Sequence, residues 1–203
     1  MTQPSHEEAA AILVALQPPP WFARHSSAVA DVAAFLAARL EESGHPIDRP
    51  LAEVAALLHD VDKVLPAADP LRDALGHGAA GAAWLAARGH PELASAVANH
   101  PASRLSDDAH YSQWKASATI EERVVAYADK RATQELVTLD ERFDEWLARH
   151  PEQAGPINLG RQRARELEES LCHLAGIGAA DVARLAWAEA AISRAAMSAA
   201  GGR

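Results

Sequence analysis

No stretch of this sequence alternates β-branched and polar residues at the period of a strand. Apolar residues instead recur at helical spacing along its length. Alanine, leucine, glutamate and arginine dominate, and all favour the helix. The pattern predicts an all-α fold, a single-domain helical bundle. The clearest segment is 21–43, where Val29, Val32, Phe35, Leu36 and Leu40 form one stripe and Gly44 is placed to end the helix. Further helices are predicted over 5–16, stopped by Pro18-Pro19-Pro20, and over 50–60, with Pro50 in the first turn. Others are expected over 77–88, closed by Gly89, and over 91–99. Thr119-Ile120-Glu121-Glu122 reads as a capping box that opens a helix through Asp129, and Thr138 and Glu141 begin another over 138–149. Segments 155–174 and 179–199 complete the set, with Asp181 in the first turn of the last helix.

Residues 101–118 stand apart. Ser103, Ser106, Asp107, Asp108, Ser112 and Ser117 predict a long polar loop, with Tyr111 and Trp114 in it. A loop of that length in a compact domain is usually functional or mobile, so it is expected to govern substrate entry, and Trp114 is a candidate for stacking on a base. No repeat or linker interrupts the chain. Residues 1–203 are therefore read as one domain, with a motif-bearing core at about 20–145 and C-terminal helices 155–200 packed on it.

Hydrophobic residues make up 49% of the 203, enough for a real core. The formal charge of −9 argues against a nucleic-acid backbone as partner but leaves small phosphorylated ligands open, because bound cations dominate the field around them. The single cysteine, Cys172, permits no intrachain disulfide and reads as a small core residue. With no signal-peptide pattern and no apolar run of membrane-spanning length, the expected location is cytoplasmic. A homodimer through the alanine-rich last helix is a further expectation.

Chemistry concentrates at Leu57-Leu58-His59-Asp60-Val61-Asp62-Lys63. An apolar helical run ends there in an adjacent imidazole and carboxylate. Neighbouring helix residues point about 100° apart, so both can face one site only near a helix end. Imidazole with carboxylate suits a divalent transition metal. His25 precedes the pair, and His77, His100 and Asp129 follow it. Asp60, central in that order, is the natural carboxylate to bridge two cations.

The set Arg24-His25-Ser26, His59-Asp60-Val61-Asp62-Lys63, His77-Gly78-Ala79-Ala80-Gly81, Asn99-His100-Pro101 and Tyr127-Ala128-Asp129-Lys130 resembles the HD-domain metal-dependent phosphohydrolase superfamily. Among its branches, the chain looks most like the small symmetrical diadenosine tetraphosphatase-like hydrolases. It departs from them after His100, where Pro101-Ala102-Ser103 replaces their usual threonine and glycine-containing turn. The resemblance implies two metal ions, with iron, manganese, cobalt, nickel and zinc all acceptable. It implies His25, His59, Asp60 and Asp129 around the first, and His77, His100 and Asp60 around the second. Asp60 and Lys63 would be the catalytic residues, with Lys63 meeting a phosphate oxygen. The expected reaction is hydrolysis of a phosphoester or phosphoanhydride in a small nucleotide-like substrate by a metal-activated hydroxide. The alternatives are a di-iron oxygenase built on the same ligands and a regulatory module that binds a nucleotide without turnover.

The remaining histidines read as bland. His45, His90 and His150 sit in probable loops, and His6 and His173 have no evident partner. His110 is placed either to reach the site or to stay in the polar loop, and Asp62 is either a support to the site or a surface residue. Arg131 and Arg104 are the better phosphate-clamp candidates. Arg161, Arg163 and Arg165 read as a solvated helix face.

Overall fold

The computed structural model describes residues 3–72 and 74–201. Among them the regular structure is helical throughout: α1 (His6–Ala15), α2 (Pro20–Glu42), α3 (Arg49–Leu58), α4 (Ala79–Ala87), α5 (Ala94–Asn99), α6 (Ala102–Ser106), α7 (Asp108–Ser117), α8 (Ile120–Lys130), α9 (Leu139–Arg149), α10 (Ala154–Ala175) and α11 (Ala188–Gly201). Short 3-10 turns occupy Val61–Val64, Pro91–Leu93, Pro151–Gln153 and Ala179–Asp181. The expected all-α fold is the one observed.

The centre is a layer in which α2 packs on α3 and both meet α8, with α5 against α8 and α3. Of the stripe expected on α2, Val29, Val32, Leu36 and Leu40 are fully buried and Phe35 is partly buried. Burying side chains of that size contributes roughly 1.5–3 kcal/mol each. The helix α10 lies across α2 and α8 and also contacts α6 and α9, while α11 covers α1 and α2. Gly44 follows α2 at φ +82°, in the left-handed region that ends helices. Cys172 is buried, and burial pushes its thiol up, so it behaves as a core residue.

Four expectations are corrected. The segment 101–118 is not a loop but α6 and α7. Asp107 caps α7 by accepting from the His110 N–H at 3.0 Å. Ser112 and Ser117 donate back to the carbonyls of Asp108 and Gln113, so their hydroxyls no longer compete with the helix. Tyr111 and Trp114 are each 7% exposed and face the core, which removes Trp114 as a stacking platform. Second, Thr119 caps α8, but Glu122 does not complete the box. Its carboxylate turns to the buried Trp114 indole N–H and to Asn99, both at 2.9 Å. A buried indole needs an acceptor, and that demand outweighs the local motif.

Third, His77 lies outside its predicted helix, which begins at Ala79. Fourth, the last helix starts at Ala188 rather than 179, and Asp181 instead caps a 3-10 turn through the Gly178 N–H. The cap of α11 comes from α2. The buried Asp31 carboxylate accepts from the Trp187 and Ala188 N–H groups at 3.0 and 3.2 Å and from Arg184 at 2.8 Å.

Candidate metal centre

Five segments bring His25, His59, Asp60, His77, His100 and Asp129 together. His25 lies in the second turn of α2, in line with Val29 and Val32, and is 7% exposed. The helix α3 stops at Leu58, His59 keeps helical angles, and Asp60 leaves them at φ −105°, ψ 13°. The chain then tightens into the 3-10 turn at Val61–Val64. This break lets two adjacent residues face one site. His100 ends α5, and Asp129 lies one residue before the end of α8. Gly78 draws His77 inward. Its φ is +81°, and a Cβ there would sit 2.8 Å from the Pro101 ring and 3.0 Å from the Val97 carbonyl. Glycine therefore permits the close approach to the segment that carries His100.

The four imidazoles are oriented alike. Nδ1 of His25, His59 and His100 lies 2.6, 2.7 and 2.6 Å from the carbonyls of Thr133, Ala56 and Val97. Nδ1 of His77 lies 2.8 Å from Asp62 Oδ2. These oxygens only accept, so each Nδ1 carries the hydrogen and each Nε2 presents a lone pair. All four Nε2 atoms point inward. Those of His25 and His59 stand 3.5 and 3.4 Å from Asp60 Oδ2, and both are 3.6 Å from Asp129 Oδ1. Those of His77 and His100 stand 3.3 and 3.2 Å from Asp60 Oδ1, and 3.2 Å from each other. Asp60 thus divides the histidines two and two between its oxygens. His59 Nε2 is buried with no hydrogen-bond partner among the described residues.

Lone pairs facing lone pairs and carboxylates repel unless a cation lies between them. The donor set therefore fits a divalent metal, with each imidazole held from behind as ligating histidines are. Ligand atoms of His25, His59 and Asp129, of His59, Asp60 and His100, and of Asp60, Asp62 and His77 each lie within 4.8 Å of one another. In the last group Asp62 is already engaged by His77 Nδ1, so it acts as the support behind that ring.

Electrostatics reflect the same crowding. Burial pulls the His59 imidazole down, but the negative charges of Asp60 and Asp129 close to it reverse this and push it up to about 9. Burial dominates at His100 and lowers it to about 4. Burial raises the Asp60 carboxyl, yet the His59 charge and the imidazoles of His100 and His25 packed against it hold it well below the usual range. Asp129 is held low despite burial by the Lys130 charge and by His59.

Asp129 serves two roles at once. Oδ1 faces His25 and His59, while Oδ2 accepts from Lys130 Nζ at 2.7 Å. Lys130 is fully buried and also donates to the His100 carbonyl at 2.6 Å, tying α8 to the end of α5. Lys63, with its side chain 46% exposed, donates to Asp60 Oδ2 at 2.8 Å. Above these groups opens a cleft of about 340 Å³, whose walls include His25, Asp60, Lys63, Trp21, Arg142 and Trp146. A larger groove of about 940 Å³, between α1 and α11, contains none of the ligand groups.

Some expectations fall away here. Arg131 is no clamp: its guanidinium is buried against the Tyr127 hydroxyl, Glu168 and the Ala179 carbonyl. Arg104 does not line the cleft, and His110 joins none of the ligand groups. Arg165, paired with Asp140, is exposed as a solvated face would be, but Arg161 and Arg163 are largely buried, paired with Asp144 and Asp108, and Arg163 also donates to the Leu105 carbonyl. His6 has partners after all, Glu53 at 2.6 Å and the face of Trp187. Arg142 was not singled out from the sequence, because its place beside Asp129 depends on a neighbour distant in the chain. Lys130, read there as part of the Asp129 motif, pairs with Asp129 itself.

A family model described as HD domain matches residues 22–134, more than half of the chain. The chain belongs to the HD-domain family. That family consists mostly of metal-dependent phosphohydrolases, and the His/Asp cluster of this HD-domain protein could hold metal. Comparison with curated proteins and with solved structures returns no match. No described helix of the HD-domain protein is long and apolar enough to cross a membrane.

Proposed function

We propose that this HD-domain protein hydrolyses a phosphoester or phosphoanhydride bond in a small, nucleotide-like substrate, using two divalent metal ions. The observation that carries this reading is the two-and-two division of four Nε2 lone pairs between the oxygens of Asp60, beneath a cleft lined with cations. His25, His59 and Asp129 would hold one ion, His77 and His100 the other, and Asp60 both. Bound ions there supply a water of lowered pKa and positive charge for the phosphoryl group.

The chain's own residues do the rest. The Thr133, Ala56 and Val97 carbonyls and the Asp62 carboxylate hold the rings in one tautomer. Lys130 fixes Asp129 and neutralises part of its charge. Lys63, on the open side of Asp60, is placed to meet a phosphoryl oxygen, and Arg142 lines the same cleft. Cations positioned before the reaction stabilise charge without reorganisation. The side chain suited to a base is Trp21, 50% exposed on the cleft wall, rather than Trp114. Lys63 favours hydrolysis over the di-iron oxygenase alternative, since a phosphate wants a cation there.

The test is metal analysis of protein purified without chelators, followed by a phosphoester panel with added manganese, iron or cobalt. Metal-dependent release of phosphate or nucleotide is expected. A fully loaded protein that hydrolyses no member of the panel would overturn the reading, as would iron-dependent oxygen consumption.

A further inference from the structure

The match to the HD family ends at residue 134, yet α9, beginning at Leu139, supplies one wall of the cleft. Arg142, Glu145, Trp146 and Arg149 line it at spacings of three, four and seven residues, which is one stripe of a helix. Arg142 is the best fixed of them. Its side chain is 11% exposed, and its guanidinium lies 4.4 Å from the centre of the Trp146 ring. Nη1 donates to Glu145 Oε2 at 3.1 Å. Nε is buried with no partner among the described residues. Nη2 stands 3.9 Å from Asp129 Oδ1, beyond hydrogen-bond distance. Arg149 Nη2 holds the other oxygen of the same carboxylate, Glu145 Oε1, at 2.8 Å.

Two arginines therefore share one glutamate beside a cluster suited to metal ions. Asp129 is the anion between the Arg142 guanidinium and that cluster, whereas Arg149 pairs with Glu145 alone among the described residues. Lys63 stands on Asp60, while Arg142 stands on the Asp129 side and continues outward to Arg149. One phosphoryl group above Asp60, with Lys63 beside it, need not displace Glu145 from the two arginines.

We propose that Arg142 and Arg149 form a second anion subsite, which holds an additional phosphate of the substrate, and that Glu145 occupies the two arginines until this phosphate displaces it. The subsite rests on the phosphohydrolase reading for the position of the scissile group. Its chemistry is bidentate recognition of phosphate by planar guanidinium groups. Glu145 sets a threshold: a ligand with one anionic group gains little from α9, whereas a ligand with two exchanges a carboxylate for a more highly charged partner.

The probes are methylphosphonate and methylenediphosphonate, which resist hydrolysis and differ by one anionic group. Their affinities for the metal-loaded protein are measured by calorimetry, with metal content and melting temperature followed in parallel. The wild type should prefer the diphosphonate by about tenfold or more, the scale of one or two hydrogen bonds between charged groups. Arg149→Ala, at a residue whose side chain is 54% exposed, should erase most of that preference with melting temperature and metal content unchanged. Glu145→Gln should shift the preference the other way, tightening the diphosphonate while leaving methylphosphonate nearly as before. A merely structural stripe would not move the two variants in opposite directions.

An affinity ratio unchanged by Arg149→Ala overturns the subsite, and so does a weaker diphosphonate complex in Glu145→Gln. These outcomes are separate from the fate of the hydrolase reading, which the phosphoester panel decides. Turnover with an unchanged ratio removes only the subsite. Opposite shifts without turnover keep the subsite and remove the hydrolase.

Discussion

Replacing Asp62 by alanine separates the two halves of the proposed centre. His25, His59 and His100 are braced by backbone carbonyls of Thr133, Ala56 and Val97, which no side-chain substitution removes. His77 alone is braced by a side chain, with Nδ1 on Asp62 Oδ2 at 2.8 Å, and it is the most open of the four at 36% side-chain exposure. Without Asp62 its ring is free to rotate and to exchange tautomers. Loss of such a support weakens a metal site by about 10–100-fold, or roughly 1.4–2.7 kcal/mol. The ion shared by His77 and His100 should bear all of this loss, because Asp62 touches no residue of the other half. Titration of metal-free protein with cobalt or zinc, followed by elemental analysis after dialysis, should show the stoichiometry falling from two ions to one. The tighter site should keep its affinity. Retention of both ions at wild-type affinity would refute the argument, as would loss of both together.

Asp60→Ala should abolish binding of both ions and activity together, since each oxygen faces one pair of histidines; elemental analysis and turnover on the best substrate read this directly. Lys63→Ala should keep its metals and lose on the order of 100-fold in kcat, and an unchanged rate would assign Lys63 to the solvated surface. Trp114→Phe should cost about 1–3 kcal/mol in denaturant unfolding by leaving Glu122 one donor short, with KM and metal content unmoved; a raised KM would restore a role in the site. In metal-free protein, His59 titrates near 9 instead of its ordinary 6.5. Its contribution to stability is therefore complete below about pH 6.5 and lost as pH rises through about 9. The melting temperature of chelated protein should fall over that interval, and added metal, which replaces the proton, should remove the fall.

The helical class was legible from the sequence because helix formation on an amphipathic stripe is local. Residues three and four apart meet whatever the rest of the chain does, so α2, α9 and α10 were read within about a residue and α3 within two. The six His and Asp residues were legible for another reason: singly each could be a cap or a surface group, but their order and local context together resemble the HD-family motif set. What the sequence left open depended on partners distant in the chain. The serines of 101–118 suggested a loop until Asp107 capped a helix and the core received Tyr111 and Trp114. Glu122 abandoned its capping box because an indole eight residues away needed an acceptor. The start of α11 was decided by Asp31, more than 150 residues earlier. Arg142 gained its place beside Asp129 only when α9 folded over the cleft, and Arg131, a better candidate by position, was drawn into the core by Tyr127 and Glu168. Spacing along a chain determines which side chains share a helix face. The pairing of buried charges and hydrogen-bond donors across the fold is decided where desolvation is paid back, and that is set by tertiary packing alone.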